Sequence, residues 1–127
     1  MTDLRTAAEA ARERAYAPYS GFRVGAALET EGGTIVTGFN IENASFVLTI
    51  CAERSAVAAA VTAGHRRFDR LALVSDAPDP IAPCGACRQV LAEFGLDLQV
   101  DSFAGSQVTS WTMRELLPAA FNRDVLK

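Results

Sequence analysis

Three cysteines and one glutamate are the residues of this chain whose types and spacing could do chemistry. Cys51 and Glu53 lie in Ile50-Cys51-Ala52-Glu53-Arg54; Cys84 and Cys87 lie in Pro83-Cys84-Gly85-Ala86-Cys87, and the chain has no other cysteine. Three thiols can hold one zinc ion and leave its fourth position open, with a carboxylate standing beside it. That is the make-up of a hydrolytic metal centre. Cys84 and Cys87, three apart at a helix start, share one face of that helix. Cys51 opens a helix as well, so two positive helix ends favour thiolate over thiol. Three thiolates make the centre net negative and a poor Lewis acid. Lowering the pKa of bound water from about 15.7 toward about 7 therefore needs the ligand charge drawn off. Arg54 is placed for that task, donating hydrogen bonds to cysteine sulfurs.

Other uses of these residues stay open at this point. The thiols also suit a structural zinc site, a redox pair or simple packing. Structural sites close with four protein ligands, usually in Cys or His pairs. The only histidine, His65, lies about 14 residues and roughly 20 Å beyond Cys51 along a helix. A redox Cys-x-x-Cys has no need of Cys51 or Glu53. Glu53 in a first helical turn also complements the helix dipole, whereas beside a bound water it can move protons. Asn40 and Glu42, at alternate positions in Asn40-Ile41-Glu42-Asn43, face one side and suit paired hydrogen bonds to hydroxyls; a capped polar loop reads the same way. Phe22 is either a core side chain or a stacking surface.

The elements that position these residues follow from periodicity. Leu4, Ala7, Ala8, Ala11 and Ala15 mark an amphipathic helix ending near Pro18. Phe22, Val24, Ala26 and Leu28 alternate as a first strand, Gly32-Gly33 turns the chain, and Thr34 to Phe39 returns as a second. Residues 40–49 have no regular period and read as an ordered binding loop. Cys51 to Ala63 is an alanine-rich helix stopped by Gly64, whose small side chains allow close approach to the sheet. Leu71 to Val74 is a third strand, a further helix runs from near Cys84 to Gly95, and Leu96, Leu98 and Val100 alternate as a fourth strand. A right-handed crossover makes the third and fourth strands parallel. The short connection from Ala104 to Gln107 makes Val108 to Thr112 a hairpin partner, and Met113 to Leu117 and the residues from Ala119 onward close the chain as short helical pieces. The expected fold is α/β: a three-layer α/β/α sandwich with a mixed five-stranded sheet, formed by residues 1–127 as a single domain.

Bulk properties exclude several function classes. At 127 residues and 50% apolar, the chain can bury roughly two-thirds of its unfolded surface. A net charge of −3 and a pI near 5.1 give no electrostatic footprint for nucleic acid. The stretch from Met1 to Arg14 is charged and helical in pattern, without a signal-peptide core, and no apolar run approaches the ~20 residues of a membrane span. An odd number of cysteines at metal spacing fits a reducing compartment, so a cytoplasmic location and a small-molecule partner are expected, with no nucleic acid and no membrane.

Cys51-Ala52-Glu53-Arg54 followed by Pro83-Cys84-Gly85-Ala86-Cys87-Arg88-Gln89 resembles the zinc signature of cytidine deaminases. Tyr19-Ser20-x-Phe22-x-Val24-Gly25-Ala26-Ala27-Leu28, Asn40-Ile41-Glu42-Asn43-Ala44 and Glu115-Leu116-Leu117-Pro118 are similar to segments of the small homotetrameric, zinc-dependent members acting on free nucleosides. The resemblance extends from the first helix to about Leu126. It implies one Zn²⁺ per subunit on Cys51, Cys84 and Cys87, and hydrolytic deamination of cytidine and 2′-deoxycytidine in pyrimidine salvage. Glu53 would shuttle the proton from water to the ring N3 and then to the leaving ammonia. Asn40 and Glu42 would bind the ribose 3′-hydroxyl, and Phe22 and Ala52 would contact the nucleoside. Ala44, Phe46 and Phe121 would reach the site from neighbouring subunits, leaving an isolated subunit inactive. Phe46 stands where the family commonly has tyrosine, so any hydrogen bond from that hydroxyl is missing, and Phe39 stands where a small residue or cysteine is frequent.

Three other functions compete. A relative acting on a blasticidin-type antibiotic is disfavoured by the Asn40/Glu42 pair, which suits a sugar with a 3′-hydroxyl. Editing of a base in RNA or DNA is disfavoured by the acidic pI. A non-catalytic zinc module has no use for Glu53 beside an open coordination position.

Overall fold

A computed structural model describes residues 3–126; Met1 and Thr2, where the helical pattern was expected to begin, and Lys127 lie outside the described residues. The chain forms α1 (Leu4–Glu13), β1 (Val24–Thr30), β2 (Ile35–Phe39), α2 (Ala52–Thr62), β3 (Phe68–Ser75), α3 (Gly85–Ala92), β4 (Gln99–Ala104), β5 (Gln107–Thr112) and α4 (Met113–Leu116), with 3-10 turns at Phe46–Leu48 and Arg123–Leu126. The strands make one sheet in the order β2-β1-β3-β4-β5. Only β3 and β4 run parallel; the other neighbours are antiparallel. The mixed sheet and both expected hairpins are therefore present. In the first, the Gly33 N–H donates to the Thr30 carbonyl, with Gly33 at φ +86, a conformation that glycine adopts without strain.

Each sheet face is covered because alternate residues of the central strands are apolar on both sides. On one face Ala27, Ala72 and Val74 pack with Ala7 and Ala8 of α1. On the other, Ala26, Leu28, Leu71 and Leu73 pack with Ala52, Ala56, Val57 and Ala60 of α2 and Leu91 of α3. The result is the three-layer arrangement. The alanines of α2 do what their size suggested: a Cβ at Gly38 of β2 would lie 2.3 Å from the Ala56 nitrogen and 2.7 Å from the Ala52 carbonyl oxygen. Helix and strand thus touch backbone to backbone. Gly38→Ala should force α2 off the sheet and cost about 3 kcal/mol or more, read as a lower midpoint in urea. An unchanged midpoint would show that the contact can relax freely.

Two strands start two or more residues later than expected, and the third strand starts three residues earlier, at Phe68. The first strand begins at Val24, not at Phe22, because residues 18–20 form a turn and Gly21 sits at φ +70. The fourth begins at Gln99. Leu96 and Leu98 alternate with polar neighbours, but they lie in a turn after Gly95 whose carbonyls accept the Arg114 and Met113 N–H groups. Leu98 is 2% exposed, so its apolarity serves the core without a strand. The third strand is longer than its apolar run. The loop after β2 is ordered as expected: Ile41 bridges to both Tyr16 and Ile50. No helix among the described residues is long and apolar enough to cross a membrane.

Candidate metal centre

Cys51 and Cys84 are the N-cap residues of α2 and α3, in extended backbone and without a side-chain capping bond. Their thiols are thus free to turn away from the helix ends. Cys87 follows one turn into α3 and is fully buried. All three sulfurs lie within 4.8 Å of one another, and no other His, Cys, Asp or Glu among the described residues joins the group. The Cys84 and Cys87 sulfurs are 3.5 Å apart. Two sulfurs on one tetrahedral zinc sit ~3.8 Å apart, so the donor set fits zinc in type, number and spacing. His65 lies past the far end of α2, its N–H on the Ala60 carbonyl.

The electrostatics favour metal-ready sulfur. A hydrogen bond from the Cys87 thiol, helped by Arg54 and opposed by burial, holds Cys51 down at about 5. Cys87, as the proton donor of that pair and buried, is pushed up. A divalent cation takes the place of such a shared proton. Arg54 Nη2 donates to Cys51 Sγ at 3.7 Å and to the Thr49 carbonyl at 3.2 Å, the placement anticipated for it. Arg54→Gln should leave the fold intact while weakening zinc roughly 10- to 100-fold or slowing turnover to match. Zinc content and rate both at wild-type values would remove Arg54 from the site.

Glu53, on the first turn of α2, is 5% exposed. Burial, with the negative charge of Cys51 adding to it, pushes its carboxyl up to about 7, while the Cys87 thiol and Arg54 pull the other way. A carboxyl poised near neutrality can both take and return a proton.

Glu53, Cys51 and Cys84 line a cleft of ≈ 350 Å³ together with Phe22, Asn40, Glu42, Phe46 and Ala52. The cleft opens beside Val24 at the start of β1, the residues just after β2 and the loop that follows β3. Asn40 Oδ1 accepts the Val24 N–H at 2.9 Å and its Nδ2 donates to the Phe22 carbonyl at 2.9 Å, so one amide N–H remains. Glu42 Oε1 accepts the N–H groups of Tyr19 and Ser20 at 3.0 and 3.1 Å, and Oε2 accepts from Ser20 Oγ. The Ser20 hydroxyl first, and then the two backbone N–H groups, hold the Glu42 carboxyl below its usual range against its burial.

Ala44, Phe46 and Phe121 are exposed; of these only Phe46 lines the cleft. Ser20, Val24, Thr49, Ile81 and Ala82 also line it; sequence placed Ser20 and Val24 only in a family-like segment and assigned none of the five to a site, since nothing in an isolated serine or alanine marks it as a wall. Arg88 was read only as part of the zinc signature and given no role of its own. Its Nε donates to the Pro83 carbonyl at 2.8 Å and its Nη1 to the Leu116 carbonyl at 2.9 Å, tying the segment before Cys84 to α4. A wider depression of ≈ 900 Å³ lies at the opposite end of the sheet, around Arg66, Arg67 and Glu93. It holds no thiol, and its Arg67 is paired with Glu31 at 3.6 Å, so the chemistry belongs to the smaller cleft.

Comparison with known proteins gives the same grouping. The family described as the cytidine and deoxycytidylate deaminase zinc-binding region matches residues 2–100. The cytidine deaminase of Sporosarcina psychrophila is 49% identical over 119 residues, covering 91% of this chain and 87% of its own. The crystal structure of cytidine deaminase from Burkholderia pseudomallei superposes with a TM-score of 0.91 at 50% identity, covering 95% of this chain and all of that one. The structure of the Mycobacterium tuberculosis cytidine deaminase gives 0.82 at 42% identity, covering 93% and 94%. The family match spans both cysteine segments, and the chain belongs to the cytidine and deoxycytidylate deaminase zinc-binding family.

Proposed function

We propose that this protein deaminates cytidine and 2′-deoxycytidine hydrolytically to uridine and 2′-deoxyuridine, releasing ammonia. The observation that carries the reading is a cluster of three sulfurs, two of them lining a cleft, with the buried Glu53 beside them and Asn40 and Glu42 on the same lining. Zinc on Cys51, Cys84 and Cys87 supplies the positive charge that lets water ionise near neutral pH. Glu53 takes a proton from that water and returns it to the ring N3 as the water oxygen bonds to C4. Glu53 then carries the remaining proton to the amino group, the C4–N4 bond breaks, and ammonia leaves. Arg54 moderates the sulfur charge; Phe22 and Ala52 bound the space for the nucleoside.

Asn40 and Glu42 together suit one hydroxyl. The spare Asn40 N–H donates to its oxygen, and Glu42 Oε2 accepts its proton. A single 3′-hydroxyl satisfies both, so the 2′-hydroxyl is dispensable and both sugars are accepted. The family also embraces deoxycytidylate chemistry, but the cleft lining includes Glu42 and Glu53 and no Lys or Arg, which disfavours a substrate phosphate.

The enzyme acts as a homotetramer in the cytoplasm. Phe46, Val47 and Leu48 are 62%, 88% and 63% exposed beside the cleft, with Tyr16 and Tyr19 also exposed; such an apolar patch is covered when a second copy docks. Ala44 and Phe46 then complete a neighbouring site, with Phe121 over the base. Purified zinc-loaded protein is tested by the ultraviolet change on cytidine, deoxycytidine, cytosine and CMP, with its mass measured by light scattering. Turnover of the two nucleosides alone, by a species four times the mass of one chain, is expected. Turnover of CMP or free cytosine at a comparable rate would contradict the substrate assignment, and full activity from a monomer would contradict the assembly.

A further inference from the structure

Glu42 is the acceptor of the sugar site, and its acceptor positions can be counted. An ionised carboxylate has about four. Tyr19 and Ser20 N–H groups take both positions on Oε1, and the Ser20 hydroxyl takes one on Oε2. One position is left, on Oε2. The hydroxyl is engaged on both sides: its oxygen accepts the Phe22 N–H at 3.0 Å and its single proton goes to Glu42. Ser20 also lines the cleft, as Phe22 and Glu42 do. Its hydroxyl therefore joins the acceptor carboxylate to the backbone of the aromatic wall, through bonds to Glu42 and Phe22 rather than to a cysteine or Glu53.

We propose that Ser20 is a specificity-determining positioning residue, whose hydroxyl fixes Glu42 Oε2 so that one acceptor position alone stays open to a donating sugar hydroxyl. Without it, Oε2 keeps two open positions, the carboxylate rotates and hydrates, and the sugar hydroxyl meets a less ordered acceptor. The chemistry at C4 is untouched. The inference rests on the nucleoside reading above.

The test is steady-state deamination by the zinc-loaded wild type, Ser20→Ala and Ser20→Thr on cytidine, 2′-deoxycytidine and 2′,3′-dideoxycytidine, which lacks the hydroxyl in question. Ser20→Ala should raise KM for the first two nucleosides about tenfold, the loss of one hydrogen bond to a charged group, with kcat within about twofold. Its kcat/KM on the dideoxynucleoside should equal the wild-type value, because there is no sugar proton to receive. Ser20→Thr, which keeps the hydroxyl, should restore most of the KM. An equal loss on all three substrates would overturn the proposal, marking Ser20 as a prop for residues 19–24. Wild-type turnover with an unchanged Ser20→Ala would overturn it and leave the nucleoside reading standing. A wild type inactive on all three would overturn both.

Discussion

Replacing Glu53 by glutamine is expected to reduce kcat for cytidine by about 10³- to 10⁴-fold while zinc stays bound and the protein stays folded. The argument is geometric. Glu53 lies outside the group of three sulfurs, so metal binding has no use for its charge. It lines the same cleft as Cys51 and Cys84 and is buried, where an amide of equal size is accommodated at least as well as a carboxylate. Glutamine keeps the shape and loses the ability to take a proton from water and pass it on. The check is a spectrophotometric rate, a zinc content by mass spectrometry and a thermal melt on one preparation. A variant keeping more than about a tenth of wild-type kcat, well above the range such a loss produces, would assign the proton transfers elsewhere. Loss of zinc alongside activity would make Glu53 a ligand.

The second large effect belongs to Cys87. Its thiol is fully buried on the first turn of α3, behind the cleft rather than at its wall. Cys87→Ala should weaken zinc by more than about 100-fold, abolish turnover and lower the melting temperature, since binding energy at such a site is also folding energy. Chelation of the wild type should reproduce the loss, and added zinc should reverse it in the wild type alone. If Cys87→Ala bound one zinc with wild-type affinity, the metal would be held by some other set of atoms. The same substitution in a merely structural thiol would cost packing energy and leave metal and rate alone.

The metal centre was legible because its chemistry is written locally. Two helix starts carry all three cysteines of the chain, and Arg54 follows Cys51 by three residues, close enough to bond its sulfur. The layers were legible too, from alanine and leucine periodicity. The placement of β1 beside β3 was not, because nothing local records which strands meet antiparallel across α2. The late strand starts share one cause: apolar residues there serve the cleft wall at Phe22 and the core at Leu98, not backbone extension. For Asn40 and Glu42, the residue types were legible but their hydrogen-bond partners were not. Asn40 and Glu42 spend most of their hydrogen-bonding capacity on residues 19–24, and only what is left over reaches the cleft. Ser20, which sets that remainder, is ordinary until Glu42 is seen beside it.

X-ray absorption at the zinc edge of the purified protein tests the central claim most directly. One zinc per chain surrounded by three sulfurs and a single lighter atom, with the sulfur count falling in Cys87→Ala, is the predicted result. A fourth sulfur, a second protein nitrogen or oxygen in place of an exchangeable position, or no zinc after reconstitution would contradict it.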